Sequence, residues 1–112
     1  MQVIKLDPNY NNAHSNLSVV YKKLDQIEKA HQLALKAIEI NPKNADAYNN
    51  LGTIFKALGK EKEAHLAIEK AIKIKPNFSD AYFNQGNIYR DNGNLEQAEI
   101  SMKKAIEINP KN

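Results

Sequence analysis

The chain has 112 residues, 42% of them apolar and 26% charged, which suits one globular domain of ordinary composition. Its net charge of +3, from 16 basic and 13 acidic residues, is too balanced for a nucleic-acid surface, where a clustered basic face is expected. No apolar run approaches the roughly 20 residues that span a bilayer. The absence of cysteine excludes disulfides, thiolate chemistry and cysteine-rich zinc sites, and it suits the reducing cytoplasm, where we expect the protein.

Along the chain, prolines fall at 8, 42, 76 and 110, each 34 residues after the last. Other residues keep the same step: Ala13/Ala47/Ala81, Asn16/Asn50/Asn84, Ala30/Ala64/Ala98 and Ala37/Ala71/Ala105. Self-similarity at a fixed period of this size marks an array of stacked structural units. Residues 1–10 read as the tail of a preceding unit, followed by units at 11–44, 45–78 and 79–112, all within one domain. The second and third units share 13 of 34 residues, mostly at apolar, small and turn positions, so the variable positions are free to carry specificity.

Each unit reads as two helices. In the second unit Asn44 is placed to cap the first helix, with Asp46 in its first turn. Tyr48, Leu51, Ile54, Phe55 and Leu58 follow at helical spacing. Gly59 ends this helix, because glycine adopts the left-handed conformation of a helix C-terminus without steric penalty. A second stripe runs through Ala64, Ala67, Ile68, Ala71, Ile72 and Ile74 and stops before Pro76, which cannot continue a helix. The third unit repeats this plan with Gly93 at its turn.

Tyr48, Leu51-Gly52, Phe55, Ala64, Ala71 and Pro76 resemble the tetratricopeptide repeat pattern, and Tyr82, Gly86, Tyr89, Ala98, Ala105 and Pro110 match it again. The resemblance covers nearly the whole chain. It implies an all-α fold, a right-handed superhelical solenoid of antiparallel helix pairs, here three repeats plus a partial N-terminal helix. Three departures stand out: Ser18 for the packing glycine, Asp25 for the turn glycine and Gln85 for a leucine.

The first helix of each repeat turns about 100° per residue. Counting from Asn11, Ala45 and Ser79, positions 3, 7, 10, 11 and 14 then form a buried face and positions 2, 5, 6, 9, 12 and 13 lie opposite. The resemblance implies that the second set lines a concave groove that holds extended peptides. That groove comprises Asn12, Ser15, Asn16, Val19, Lys22 and Lys23, then Asp46, Asn49, Asn50, Thr53, Lys56 and Ala57, then Asp80, Phe83, Asn84, Asn87, Arg90 and Asp91.

Three features of this set bear on function. Asn16, Asn50 and Asn84 form a ladder at position 6, and an asparagine amide both donates and accepts. The ladder resembles the superhelix of O-linked N-acetylglucosamine transferases, where asparagines hold the peptide backbone; the alternative is that these amides are solvated or bond within the fold. Lys22, Lys56 and Arg90 form a basic column at position 12, suited to an acidic or phosphorylated segment, although Asp46, Asp80 and Asp91 dilute its field. Phe83 is an aromatic anchor if it faces the groove, and a packing residue if it meets a neighbouring helix. The carboxylate clamp that some family members use for chaperone C-termini is not expected, because its places hold Ser15, Val19, Asn50, Asp80 and Asn84.

No catalytic motif, phosphate-cradling loop or metal-ligand spacing is present, so no enzyme activity, cofactor or metal is expected. His31 and His65 are repeat equivalents, and His14 stands at an aromatic packing position. The expected function is a non-catalytic module that binds a protein or peptide partner, with no nucleic acid and no membrane. Two alternatives stand beside it: a substrate-recruiting segment of a larger transferase, and a repeat fragment that self-associates into a homo-oligomer through uncapped ends, since repeat arrays need polar caps.

Overall fold

A computed structural model describes residues 11–110, with the side chains of Asn11 and Asn12 outside that description. The tail of a preceding repeat expected at 1–10, and the groove role expected of the Asn12 side chain, lie outside the described residues. Six helices follow one another: α1 (Asn11–Lys23), α2 (Ile27–Ile40), α3 (Ala45–Ala57), α4 (Glu61–Ile74), α5 (Ser79–Asp91) and α6 (Leu95–Ile108). They pair as three helical hairpins, α1–α2, α3–α4 and α5–α6, stacked into an elongated body of 47 × 27 × 22 Å. The second helix of one hairpin packs on the first helix of the next, and α1, α3 and α5 also touch in sequence, so the first helices form one continuous layer. The fold is an all-α repeat solenoid.

The hairpin turns share one geometry. After α3, the Lys60 N–H donates to Phe55 O at 2.8 Å and the Gly59 N–H to Lys56 O at 3.0 Å, the paired bonds of a Schellman motif. After α5, Asn94 and Gly93 make the same two bonds, to Tyr89 and Arg90. After α1, Gln26 bonds Tyr21 and Asp25 bonds Lys22. The residue at the bend has φ of 75° at Gly59, 80° at Gly93 and 66° at Asp25. Asp25 therefore holds the left-handed conformation that glycine takes elsewhere, and the turn is strained rather than reshaped.

Each second helix ends two residues before a proline. Asn41 and Lys75 take extended backbone angles ahead of Pro42 and Pro76, as a residue before proline prefers. Asn44 then caps α3, its Oδ1 accepting from the Ala47 N–H at 3.1 Å.

Two apolar clusters lie between the hairpins. Ala30, Ala34, Leu51, Ile54 and Ala67 join the first to the second; Ala45, Ala64, Ile68, Ala71, Phe78, Ala81 and Ile88 join the second to the third. The alanines let backbones approach closely. A Cβ added to Gly52 would lie 3.3 Å from the Ala64 carbonyl and 2.5 Å from Ile68 Cδ1. In the first hairpin Ser18 stands at the glycine's place, fully buried, and its Oγ donates to the Ala30 carbonyl at 2.7 Å. The serine thus converts a close contact into a hydrogen bond. Gln85 is accommodated likewise, its Oε1 accepting from Ser101 Oγ at 3.0 Å.

The expected buried face needs two corrections: in the first hairpin Leu17 and Val20, at positions 7 and 10, are 42% and 49% exposed, because among the described residues no preceding hairpin packs on α1. Position 14 is exposed, with Leu24 at 59% and Leu58 at 36%, because it lies beyond the last helical residue, where the Schellman turn swings the chain outward.

Candidate functional site

Residues of α1, α3 and α5 line a cleft of about 430 Å³: Lys22, then Thr53, Lys56 and Ala57, then Asn84, Asn87, Ile88 and Asp91. All but Ile88 belong to the groove set read from the sequence. Ile88 sits on the core side of α5 and reaches the cleft floor from below, which helical spacing alone did not reveal.

The described groove set divides into four groups. Lys22, Thr53, Lys56, Ala57, Asn84, Asn87 and Asp91 come together at the cleft. Asn16, Lys23, Asp46 and Arg90 are exposed, and Val19 and Asn50 are half-buried. Ser15 and Asn49, both at position 5, are corrections: they are only 2% and 7% exposed, and hydrogen bonds to the neighbouring hairpin engage them. Ser15 Oγ accepts from Asn44 Nδ2 at 3.1 Å, and Asn49 Oδ1 accepts from Asn84 Nδ2 at 2.9 Å. Position 5 faces the next hairpin rather than the groove, because neighbouring first helices approach closely enough there to cover it.

Phe83 occupies the same position in the third hairpin and is 52% exposed. With Ser79, Asp80, Met102, Ala105 and Ile106 it lines a separate, mainly apolar hollow of about 400 Å³ at the end of the stack. Phe83 and Asp80 therefore belong to this end face, while the cleft lies elsewhere.

The asparagine ladder carries inter-hairpin bonds. Asn50 Nδ2 donates to the Ser15 carbonyl at 3.1 Å, one hairpin back, and Asn84 Nδ2 reaches Asn49. One N–H of each amide is thereby fixed, which orients the side chain and leaves its carbonyl oxygen to accept. Thr53 Oγ1 donates to the Asn50 carbonyl within its own helix at 2.8 Å.

Electrostatics centre on Asp91. Its Oδ2 lies 3.0 Å from Lys56 Nζ on the neighbouring hairpin, and its Oδ1 lies 3.5 Å from Arg90 Nη2. The hydrogen bond from Lys56 is the main reason the Asp91 carboxyl is held below the usual carboxylate range; Arg90 adds to it. His31 and His65, the repeat equivalents, each meet an aromatic ring of the next hairpin. His31 meets Phe55 edge-on at 5.4 Å between ring centres, and His65 meets Tyr89 at 4.7 Å. Among the described residues no cluster of three His, Cys, Asp or Glu side chains could hold a metal ion, and no helix is long and apolar enough to cross a membrane.

Three family models, each described as tetratricopeptide repeat, match residues 12–44, 33–65 and 79–112. The chain belongs to the tetratricopeptide repeat family. No curated protein matches its sequence. Among solved structures, this tetratricopeptide repeat chain is similar to the crystal structure of MamA, at 33% identity and a TM-score of 0.77, over 96% of this chain and 63% of that one. It thus spans about three fifths of the length of the first structures it matches. The first repeat domain of Spaghetti (RPAP3), bound to an HSP90 peptide, is similar in fold at 20% identity and a TM-score of 0.84, over 95% of this chain and 84% of that one. The O-GlcNAc transferase of Thermobaculum terrenum is similar at 19% identity and a TM-score of 0.85, over 92% of this chain but 20% of that one.

Proposed function

We propose that this repeat chain is a non-catalytic interaction module of the cytoplasm, and that the layer formed by α1, α3 and α5 holds an extended peptide segment of a partner protein. The repeat boundaries at 11–44, 45–78 and 79–112 belong to the same reading. The observation that carries it is the cleft to which all three first helices contribute. Helices packed about 9 Å apart give a three-helix layer roughly 20 Å wide. An extended chain rises about 3.3 Å per residue, so about six residues cross it. Oriented amides at Asn50 and Asn84, the Asn87 amide and the flanking cations supply polar contacts of the kind a peptide backbone requires. The peptide-bound Spaghetti domains lend support at the level of the fold. The test is selection from a displayed peptide library, with binding mapped on the labelled protein by amide chemical shifts. Shifts should concentrate on Lys22, Thr53, Asn84 and Asn87, and Asn87→Ala should weaken binding with an unchanged melting temperature. Selected peptides that map to α2, α4 and α6 would overturn the reading.

A second reading concerns the end face. The position-5 residue is covered in the first two hairpins but exposed as Phe83 in the third, beside Met102 and Ile106. We propose that a second copy of the chain covers this hollow, its helix standing on α5–α6 as α5 stands on α3–α4. Sedimentation analysis of Phe83→Glu against the parent protein tests it; the parent should associate at high concentration and the variant should not. Identical behaviour would remove this reading and leave the groove untouched.

A further inference from the structure

The cleft contains hydrogen-bond donors that the fold leaves without acceptors. Among the described residues, no ion pair or hydrogen bond engages the Lys22 ammonium, and none engages the Asn87 side-chain amide. Both line the cleft, as does Lys56. The three come from three different hairpins and are brought to one place only by the stacking.

The charge balance is specific. Asp91 is the one carboxylate lining the cleft among the described residues, and Lys56 and Arg90 already bind it. Of the charged groups that line the cleft, Lys22 and Lys56 against Asp91 leave one positive charge on a concave surface whose walls include Ala57 and Ile88, a shape that concentrates field. A single negative charge balances it.

We propose that the cleft is a subsite for a side-chain carboxylate of the bound peptide, seated between Lys22 and Lys56 with the Asn87 amide as a third donor, and that Asp91 is its internal competitor for Lys56. The proposal rests on the groove reading and adds the chemistry of one ligand residue. A side chain fits better than a chain end, because the cleft lies across all three first helices and an extended peptide passes it on both sides. None of Lys22, Lys56 and Asn87 stands at a position of the chaperone clamp considered above.

The roles of the two charged groups make opposite demands on their variants. Removing the Lys22 charge takes away attraction. Removing the Asp91 charge frees Lys56 for the ligand and removes repulsion, so Asp91→Asn should bind the acidic ligand more tightly than the parent. A site that merely tolerated acidic peptides through net protein charge would respond to the two substitutions in opposite directions but by equal and small amounts, and a lysine or aspartate far from the cleft would do the same when neutralised.

The test titrates the isotope-labelled chain with three probes at low ionic strength: acetylated and amidated tetraglutamate, the same peptide made of glutamine, and acetylated tetraglutamine with a free C-terminus. Tetraglutamate should shift the amides of Lys22, Thr53, Asn84 and Asn87, and the two glutamine peptides should not. Lys22→Met should weaken the tetraglutamate interaction about three- to tenfold, the effect of losing one charge contact of about 1 kcal/mol. Asp91→Asn should strengthen it, with circular dichroism confirming that both variants remain helical. Equal shifts with blocked tetraglutamine would overturn the subsite, as would a response confined to the free-acid peptide, an unchanged affinity in Lys22→Met, or no response to tetraglutamate. If library-selected peptides still shift the groove amides while tetraglutamate does not, the subsite fails and the groove reading stands. If neither does, both fail.

Discussion

Ser18 Oγ donates to the Ala30 carbonyl at 2.7 Å, across the seam between α1 and α2 and with no exposure to solvent. In the other hairpins this place is glycine, at Gly52 and Gly86, and the facing carbonyls belong to Ala64 and Ala98. The first hairpin closes its seam with a bond where the others close it by proximity. Ser18→Ala should lower stability by about 1 kcal/mol, the usual net value of an intramolecular hydrogen bond, read as a shifted urea midpoint with unchanged slope.

Asp25 holds φ of 66° in a turn whose equivalents are glycines. Asp25→Gly should stabilise the chain by about 0.5–1 kcal/mol by relieving left-handed strain. Gly59→Ala should destabilise it by about 1 kcal/mol. An added Cβ at Gly59 would meet nothing within 4 Å, so that loss would be purely conformational. Thermal unfolding of the two variants should move in opposite directions.

Ala64 is fully buried, and its carbonyl lies opposite Gly52. Ala64→Leu should overpack this seam and cost about 1–3 kcal/mol. A melting temperature equal to the parent's would contradict the helix pairing within the second hairpin.

Lys56 and Asp91 join the second and third hairpins at 3.0 Å. Because Lys56 holds the Asp91 carboxyl below its ordinary range, the contact favours the folded state above the unfolded carboxylate's pKa. That contribution fades as pH falls through the lower, folded value. In a carboxyl-detected titration, Lys56→Met should return Asp91 toward the ordinary carboxylate pKa.

The architecture was legible because it is written in period. Prolines every 34 residues, glycine at two turns and alanine at the seams are each demanded by backbone geometry, so they recur where the geometry recurs. The groove was legible only in part. Helical spacing assigns Ser15, Asn49 and Phe83 to one face of their helices, but it carries no information about what packs against that face. The approach of neighbouring first helices buries the first two and leaves the third open at the end of the stack. Ser18 and Gln85 illustrate the same limit: each breaks the pattern locally, and each is satisfied by a partner, Ala30 or Ser101, that lies on the other helix of its hairpin.

The two asparagine joints along the groove differ in kind. Asn50 grips a main-chain carbonyl, Ser15 O, whose position the α1 backbone fixes. Asn84 grips the side chain of Asn49, which the neighbouring helix covers. The Lys56–Asp91 ion pair spans that second joint as well, so the pitch of the groove between α3 and α5 depends on a charge, whereas its first half rests on a main-chain grip.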